Sequence, residues 1–382
     1  MHSSVVNFLR TVFAAFAFFA LTSCNGGING SGTGGSTTTT DKTVRHVFIV
    51  VLENKGYDQT FGAASPAPYL ATTLPAMGQL LTQYYGLGHN SLGNYISMVS
   101  GQPLNIVTQT DCQIYQDFVG FADPTQSNGV LIGQGCVYPA AAKTVVDQLE
   151  AASFTWKGYM EDLDDGTTHT CRHPAVNSVD GTQTATATNQ YASRHNPFVY
   201  FHGIIDDQPR CDAHVVDLAK LDADLASIAT TPNYVFITPD LCSDGHDTPC
   251  VDGRPGGLVS INDFLQVLVP KILNSAAFKQ DGMLLVTFDE ADSTGAEAST
   301  ACCAEPTGPN TPAPGAQSGG PGGGRTGAVI LSPFTQPGSV NNTPYNHYSM
   351  LRSVEDIFGV THLGYAAQTG LVPFGADVFN AP

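Results

Sequence analysis

The sequence predicts an α/β protein whose central, mostly parallel sheet carries helices on both faces. Continuous apolar and β-branched runs, typical of strands buried on both faces of a parallel sheet, occur at 47–52, 234–238, 283–288 and 328–331. Helix-like segments lie between and after these runs, at 141–152, 217–229, 262–273 and 349–358. Strands that alternate with helices indicate a parallel sheet covered on both sides.

The first 42 residues are expected to lie outside this fold. Residues 1–23 contain one basic residue, Arg10, and then an apolar run, which is shorter than the about 20 residues of a membrane span and is typical of a secretion signal. Small residues before Cys24 resemble the lipobox of bacterial lipoproteins. We therefore expect an exported lipoprotein anchored at Cys24, periplasmic or outer-membrane associated; the alternative is an ordinary signal peptide with an incidental cysteine. Residues 24–42 are expected to form a flexible linker rich in Gly, Ser and Thr, and 43–382 the folded domain.

The charge argues against one class of partner. The formal net charge is −18, because 33 Asp and Glu residues stand against 15 Lys and Arg residues. An acidic surface repels the phosphates of nucleic acids and of anionic lipids. We therefore expect no nucleic-acid partner, and contact with a membrane only through the N-terminal lipid.

The cysteines are consistent with export. If Cys24 carries the lipid, eight remain, and an even number in a secreted protein indicates disulfides. Cys242 and Cys250 are close in sequence and form the favoured local pair. Zinc bound by thiolates is the competing interpretation, but no two of these cysteines have the C-x-x-C spacing.

Polar residues follow three of the predicted strands. Glu53 and Asn54 follow the first run, Asp240 follows the second, and Asp289 and Glu290 follow the third. Ligands of open α/β sheets bind beyond the carboxyl ends of the strands, so these side chains are expected to meet at one edge. Adjacent carboxylates repel each other unless a cation lies between them, which favours a divalent metal held by oxygen ligands. The alternative is that these acids only cap the helices that follow.

The segment 89–95 contains the candidate nucleophile, Ser91. A serine hydroxyl needs a base or a metal to become nucleophilic, and a position at a helix N-terminus would place it beside amides that suit phosphate. Asn94, one turn later, is a candidate donor to a phosphoryl oxygen. The alternative is that Ser91 acts only as the N-cap of the helix.

Two histidines are candidate phosphate or metal contacts. His246 lies in the segment 239–247 and His347 directly precedes a predicted helix. His195 is a weaker candidate of the same kind. A single histidine is more often a surface or hydrogen-bonded core residue, and that alternative stays open for each of them.

Together these motifs resemble the bacterial phosphoesterase family of acid phosphatases and phospholipases C, which belongs to the alkaline phosphatase superfamily. The matching segments follow the family's order over nearly all of 45–366, at 50–62, 89–95, 156–161, 195–198, 239–247, 286–290 and 345–352. The resemblance implies an alkaline-phosphatase-like three-layer α/β/α sandwich with a mostly parallel central sheet. Loop-rich insertions at 103–140 and 160–212 are expected to cover the site.

The resemblance also implies roles for individual residues. Ser91 would be the metal-bound nucleophile, and His246 and His347 would lie near the phosphate. The metal would be surrounded by Glu53, Asn54, Asp289 and Glu290. The chain departs from the family at Asn90 and Gly93, where proline is frequent, and at 55–57, where Arg-Ser-Phe is frequent. These departures leave the nucleophile and the expected ligands intact but make the substrate pocket uncertain.

The predicted function is a metal-dependent phosphoesterase that acts on phosphate esters, most simply an acid-phosphatase-like monoesterase with a phosphoserine intermediate. A phospholipase-C-like phosphodiesterase is the chemically related alternative. A non-catalytic surface-binding lipoprotein is the alternative from another class. A sulfatase is disfavoured, because the chain lacks the C/S-x-P-S-R motif that such enzymes modify. The sequence leaves the identity and number of the metal ions open.

Overall fold

The computed structural model describes residues 43–125, 128–308, 311, 313–315 and 319–381. The expected signal peptide and linker, 1–42, lie outside these residues. The strands are β1 His46–Leu52, β2 Gln79–Leu81, β3 Tyr84–Tyr85, β4 Ile114–Tyr115, β5 Val119–Thr125, β6 Leu131–Gln134, β7 Trp156–Met160, β8 Ser178–Val179, β9 Val215–Asp217, β10 Tyr234–Thr238, β11 Gly282–Phe288, β12 Ala328–Leu331, β13 Ser339–Asn341 and β14 Tyr345–Asn346. The helices are α1 Tyr57–Phe61, α2 Leu74–Met77, α3 Ser91–Ser100, α4 Val145–Ala151, α5 His202–Ile205, α6 Gln208–His214, α7 Leu221–Asp224, α8 Gly257–Asn274, α9 Ala276–Asp281 and α10 His347–Phe358.

The central sheet has eight strands in the order β13-β2-β12-β11-β1-β10-β7-β9. Strand β1 pairs in parallel with β10 on one side and with β11 on the other. Within this described sheet, β12 is the strand that runs against the others, since it pairs antiparallel with both β11 and β2. The prediction of a mostly parallel sheet is confirmed, and its four predicted strands are β1, β10, β11 and β12.

Alternate residues of β1 pack into two separate cores, which explains why its whole run is apolar. Val47, Ile49 and Val51 belong to one core, to which α3, α4 and α10 contribute. Phe48 and Val50 belong to the other, to which α8 and α9 contribute. Because side chains of a strand alternate between faces, the two cores show that helices cover both faces. The three-layer α/β/α architecture is therefore confirmed.

Three of the predicted helices form with shifted boundaries, and the fourth is short. The segment predicted at 217–229 contains a 3-10 turn and then α7, which ends at Asp224. The hydroxyls of Thr230 and Thr231 both donate to the Asp224 carbonyl. Such side-chain hydrogen bonds compete with the next helical turn. Among the described helices, none has both the length and the apolarity that a membrane crossing needs.

Four disulfides join the eight cysteines of the domain. The predicted pair Cys242–Cys250 is confirmed. The others are Cys112–Cys136, Cys171–Cys211 and the adjacent pair Cys302–Cys303. Since the sulfurs are bonded to each other, they are not available as zinc ligands.

Candidate active site

The site forms where three parallel strands end. Glu53 follows β1, Asp289 follows β11, and the turn after β10 carries Asp244. The Glu53 N–H donates to the Asp244 carbonyl, and the Asp289 N–H donates to the Leu52 carbonyl, each at 2.9 Å. Asn54 has a φ of 57°, and non-glycine residues held in this left-handed region are concentrated at functional sites. The strand ends thus bring three acidic residues to one place.

The Ser91 hydroxyl lies inside this acidic cluster. Ser91 is the first residue of α3, and its Oγ donates to Glu53 Oε2 at 2.9 Å. One turn later, the Tyr95 hydroxyl donates to Glu53 Oε1 at 2.7 Å. The N-cap of α3 is Asn90, so Ser91 is not the cap of this helix. Its side chain instead binds an acid from the end of the first strand.

The N-terminus of α3 already holds an acid of its own. The Leu92 N–H donates to Asp111 Oδ1 at 3.1 Å, and the Asn90 side chain donates to Asp111 Oδ2 at 3.3 Å. A carboxylate is favoured at this position by the helix dipole. The Leu92 amide, one of the amides at this helix N-terminus, is therefore occupied, and Asp111 contacts the residues on both sides of Ser91.

Buried carboxyl groups crowd the site. In the described part of the chain the cluster comprises Glu53, Asp244, Asp289 and Glu290, all buried. Burial raises the pKa of Glu53 well above its usual range, and the charges of Asp289 and Asp244 raise it further. Burial also raises the pKa of Asp289 to about 7 and the pKa of Glu290 well above its usual range. Such groups ionise readily only beside a cation, which is the condition that a metal would supply.

His195 completes a set of possible metal ligands. Its Nδ1 lies 3.1 Å from Asp244 Oδ2 and its Nε2 lies 3.4 Å from Glu53 Oε1. One ligand atom from each of these three residues lies within 4.8 Å of the others. The imidazole stacks on the Tyr95 ring with 5.3 Å between centroids. Burial, then the charges of Arg194 and His246, lower the pKa of His195 well below its usual range, so the ring is neutral, as a metal ligand must be.

Two atoms of the cluster support this fit. Asp289 Oδ2 and His195 Nε2 are buried and make no hydrogen bond with the residues that the structure describes, since the 3.4 Å contact of His195 Nε2 with Glu53 is not aligned as one. Buried polar atoms without partners are costly and are uncommon unless something else binds them. The donor set of carboxylates and one imidazole is suitable for several divalent metals.

Glu290 and Asn94 form the second half of the site. Asn94 Oδ1 accepts hydrogen bonds from the Leu87 and Gly88 amides, and its Nδ2 donates to the Gly88 carbonyl and to Glu290 Oε2. His89 Nδ1 lies 3.1 Å from Glu290 Oε1. The Asn94 amide is thus fully engaged by the protein, which indicates that it positions Glu290 and the turn at 87–88.

Two further predicted residues, His347 and Asn54, contact the acids of the site. The ring nitrogens of His347 contact the Asp289 carbonyl and the Tyr84 hydroxyl, at 2.5 and 3.1 Å. Burial lowers the pKa of His347 to about 4, so it is a neutral ring that holds the backbone of Asp289. Asn54 contributes its N–H to Asp289 Oδ1 and its side-chain amide to Glu53 Oε2.

His246 and Asp240 lie at the periphery of the cluster. The His246 N–H donates to Asp244 Oδ1, and its ring Nδ1 lies 2.8 Å from Asp247 Oδ1. Both carboxylate oxygens of Asp240 are bound, one by the amides of the next turn and the other by Arg254. Asp240 therefore shapes the turn that presents Asp244, and the structure does not bring its carboxylate to Ser91.

Two residues of the site were missed or undervalued in the sequence. Asp244 lies four residues after Asp240 in the same segment. The rule that ligands come directly after a strand selects Asp240 and therefore misses Asp244. His195 matched the family segment 195–198 but has no neighbouring acid in sequence. The sequence could have indicated Asp244 if every acidic residue of the turn after β10 had been considered, and not only the one that directly follows the strand.

Comparison with solved structures gives distant likenesses. A protein in the alkaline phosphatase superfamily from Vibrio parahaemolyticus is 12% identical, with a TM-score of 0.45 over 83% of this chain and 67% of that one. A phosphonate monoester hydrolase from Silicibacter pomeroyi is 9% identical, with a TM-score of 0.46 over 88% of this chain and 77% of that one.

Comparison with characterised sequences gives closer relatives. A probable acid phosphatase of Kluyveromyces lactis is 26% identical over 84% of this chain, and an acid phosphatase of Aspergillus fumigatus is 24% identical over 87%. The matched regions cover 59% and 61% of these two proteins. A phosphatidylinositol-3-phosphatase of Mycobacterium tuberculosis is 23% identical over 85% of this chain and 80% of its own length. The sequence profile of the Phosphoesterase family matches residues 67–361. With most of its length matched in this way, the chain belongs to the Phosphoesterase family.

Proposed function

We propose that this protein is a metal-dependent phosphomonoester hydrolase of the acid-phosphatase type, with Ser91 as its nucleophile. The observation that carries the proposal is the hydrogen bond of 2.9 Å from Ser91 Oγ to Glu53, inside a group of buried, mutually repelling acids. A hydroxyl in that position is next to both a proton acceptor and a binding site for a cation. The names of the two fungal relatives, both acid phosphatases, favour a monoester substrate.

The residues best placed to hold the metal are Glu53, His195 and Asp244, with Asp289 beside them. A divalent ion bound there would lower the pKa of the serine hydroxyl and neutralise charge on the phosphoryl group. The sequence-based ligand set overlaps this one at Glu53 and Asp289. In this proposal Asn54 supports the ligands through its hydrogen bonds to Asp289 Oδ1 and Glu53 Oε2, and Glu290, which is held by Asn94, lies outside the metal's ligand set.

The chain's own residues then account for the rest of the reaction. Glu53 Oε2 accepts the hydrogen of Ser91 and orients the oxygen. Ser91 Oγ forms a bond to phosphorus as the bond from phosphorus to the ester oxygen breaks, and that oxygen takes a proton from solvent and leaves as an alcohol, which gives phosphoserine. A water then attacks phosphorus and loses a proton to solvent, while the bond from phosphorus to Ser91 Oγ breaks, Glu53 returns the hydrogen to Ser91 Oγ, and inorganic phosphate is released. Two in-line displacements retain the configuration at phosphorus. His246 lies at the outer side of the cluster and contributes to it through its backbone N–H, which donates to Asp244 Oδ1, while its ring nitrogens contact Asp247 and Arg194.

The test is the Ser91→Ala variant assayed with p-nitrophenyl phosphate. We expect loss of turnover with retained thermal stability, and wild-type protein quenched in acid should contain phosphoserine at position 91. Ser97→Ala is the matched control, because Ser97 lies in the same helix and its hydroxyl donates to the Gly93 and Gln102 carbonyls rather than to an acid of the cluster. Full activity of Ser91→Ala, or inversion at a chiral phosphate, would disprove the covalent mechanism.

A substrate panel separates the monoesterase from its alternatives. Faster hydrolysis of bis(p-nitrophenyl) phosphate or phosphatidylcholine than of the monoester would identify a phosphodiesterase. No hydrolysis of any ester with any divalent metal would favour the non-catalytic lipoprotein.

For the whole chain we propose export and lipid attachment at Cys24. The disulfides of the domain support an oxidising compartment. Labelling with a fatty-acid analogue in a bacterial host should mark the wild-type chain and leave the Cys24→Ser variant unlabelled.

A further inference from the structure

Arg194 is a buried cation beside the acidic cluster. It lies in the 3-10 turn Ser193–His195, and only 3% of its surface is exposed. Four other arginines of the domain form ion pairs, namely Arg172, Arg210, Arg254 and Arg325, whereas Arg352 donates to the Ala366 and Gln368 carbonyls. Arg194 has no such carboxylate partner among the residues that the structure describes.

The contacts that Arg194 does make are long and involve neutral groups. Its Nη1 lies 3.2 Å from the Gln183 carbonyl and 3.5 Å from the Gln183 side-chain oxygen. Its Nη2 lies 3.3 Å from His246 Nε2. A guanidinium is a planar fork of donors that suits paired oxygens of a carboxylate or a phosphate. The buried charge of Arg194 is therefore left without the kind of partner that normally offsets the cost of burial.

The position of Arg194 couples it to the site. Its neighbour in sequence, His195, contacts both Glu53 and Asp244. The Arg194 Nη2 also lies 3.3 Å from His246 Nε2, and the centroid of that ring is 5.9 Å from the centroid of the His195 ring. The guanidinium is therefore adjacent to the residues that would surround the phosphoryl group.

His246 links Arg194 to solvent. The His246 side chain is 34% exposed, whereas Arg194 is almost completely covered. The backbone N–H of His246 donates to Asp244 Oδ1 at 2.8 Å, so the same residue contacts both the cluster and the guanidinium. An anion that enters past His246 can replace its single weak contact with Arg194 by stronger, charge-assisted ones.

We propose that Arg194 is a specificity-determining residue that binds terminal oxygens of the phosphoryl group and selects dianionic monoesters over diesters. The proposal rests on the function proposed above. Phosphoryl groups spread charge over their equatorial oxygens, and in a monoester more of these oxygens are free and charged than in a diester. A guanidinium that takes two of them therefore gains more from a monoester, because a diester replaces one by a neutral ester substituent.

The experiment compares wild type, Arg194→Gln and Arg194→Lys in kcat/KM for p-nitrophenyl phosphate and for bis(p-nitrophenyl) phosphate. Arg194→Gln should lower the value for the monoester about 10²-fold and the value for the diester less than about tenfold. Arg194→Lys keeps the positive charge but lacks the paired N–H donors of the guanidinium. Its kcat/KM for the monoester should therefore lie between those of wild type and Arg194→Gln. Arg172→Gln is the matched control, since Arg172 is a partly buried arginine of the same loop-rich region that is paired with Asp165; it should change neither value.

Equilibrium binding of inorganic phosphate, measured by calorimetry on the metal-loaded protein, separates this inference from the proposed function. Weaker phosphate binding by Arg194→Gln, with normal binding by Arg172→Gln, supports the role of Arg194 even if wild type hydrolyses neither ester. Equal phosphate binding by wild type and Arg194→Gln overturns it, as does an equal loss of monoester and diester hydrolysis. If Arg194→Gln fails to fold, Arg194→Lys decides: a monoester-to-diester ratio equal to that of wild type overturns the proposal. Wild-type protein that neither binds phosphate nor hydrolyses either ester overturns both proposals.

Discussion

The two ends of strand β1 hold buried acids in opposite ways. At its start, His46 contacts Asp281, the last residue of α9, and both side chains are almost fully buried. At this end of the strand a single acid contacts a single base. At the other end of the same strand, Glu53 faces Asp244 and Asp289, whose charges raise its pKa on top of the effect of burial.

This difference indicates that the end of β1, and not its start, is suited to bind a ligand. The bases that contact the acids of the site are His195 and His89, and burial lowers the pKa of both. Neutral imidazoles cannot balance ionised carboxylates. At the start of β1 the acid is in direct contact with its base, whereas the acids at the end of β1 are stable in the ionised state only when a cation joins them.

The largest expected effect is that of Glu53→Gln. This change keeps the size of the side chain but removes the charge that contacts Ser91 and His195. We expect kcat/KM for p-nitrophenyl phosphate to fall about 10³-fold. Asp263→Asn, an exposed acid on α8, is the control and should retain full activity. A loss smaller than about tenfold for Glu53→Gln would place the chemistry elsewhere.

The matching change at the start of β1 is His46→Ala. It leaves Asp281 buried without its base, and breaking such a pair should lower the free energy of unfolding by about 3 kcal/mol. Urea denaturation measures this change. The response of the variant to divalent cations should equal that of wild type. If instead His46→Ala altered metal binding, the two ends would not be independent.

Divalent cations should stabilise the protein through the end of β1. A ligand that binds only the folded state adds about 2.7 kcal/mol when its concentration is about 100-fold above its Kd. We therefore expect the Tm to rise with added metal and to return after chelation. Glu53→Gln and Asp244→Asn should abolish the shift. A rise of equal size in those variants would assign it to another site.

The smallest expected effect is that of changing Glu355, a buried acid of α10 that lies at neither end of β1. One oxygen accepts the Leu363 N–H, and the other has no partner in the described part of the chain. Burial raises the pKa of Glu355 to about 9. The unfolded carboxyl titrates near about 4.3, so the neutral group stabilises the fold fully below that pH. This contribution declines as the pH rises toward the folded pKa, by at most about 1.4 kcal/mol per pH unit.

Glu355→Gln removes this titration. Its free energy of unfolding should therefore depend less on pH between pH 5 and pH 8 than that of wild type, as urea denaturation at both values would show. Asp356→Asn, the neighbouring and exposed acid, is the control. Unchanged pH dependence in Glu355→Gln would contradict the raised pKa of Glu355.

The sheet could be predicted from the sequence because its central strands are buried on both faces and therefore apolar throughout. Glu53 and Asp289 directly follow such strands, so the prediction that they approach each other needed only the rule about strand ends. The position of Ser91 next to Glu53 came from the family resemblance, since nothing in the segment 89–95 alone distinguishes a nucleophile from a cap.

The rest of the site depends on contacts that no local pattern encodes. Asp240 follows β10 more closely than Asp244, but a turn that Asp240 itself caps carries Asp244 back to the Glu53 amide. His195 reaches the acids because the segment 160–212 returns to the end of β10, where the Thr238 hydroxyl donates to the His195 carbonyl. The interpretation of Asn94 as a phosphate donor did not anticipate that the Gly88 carbonyl and Glu290 would occupy its side-chain NH2 group.

The order of strands in the sheet has a consequence for folding. Strand β1 lies between β11 and β10, so the first strand of the chain is completed by partners from its second half. No short continuous fragment can contain Ser91, Glu53 and Asp289 in contact, and contacts so distant in sequence are slow to form. We therefore expect esterase activity to emerge only with the complete native sheet, so that regained activity during refolding measures the fraction of fully assembled molecules.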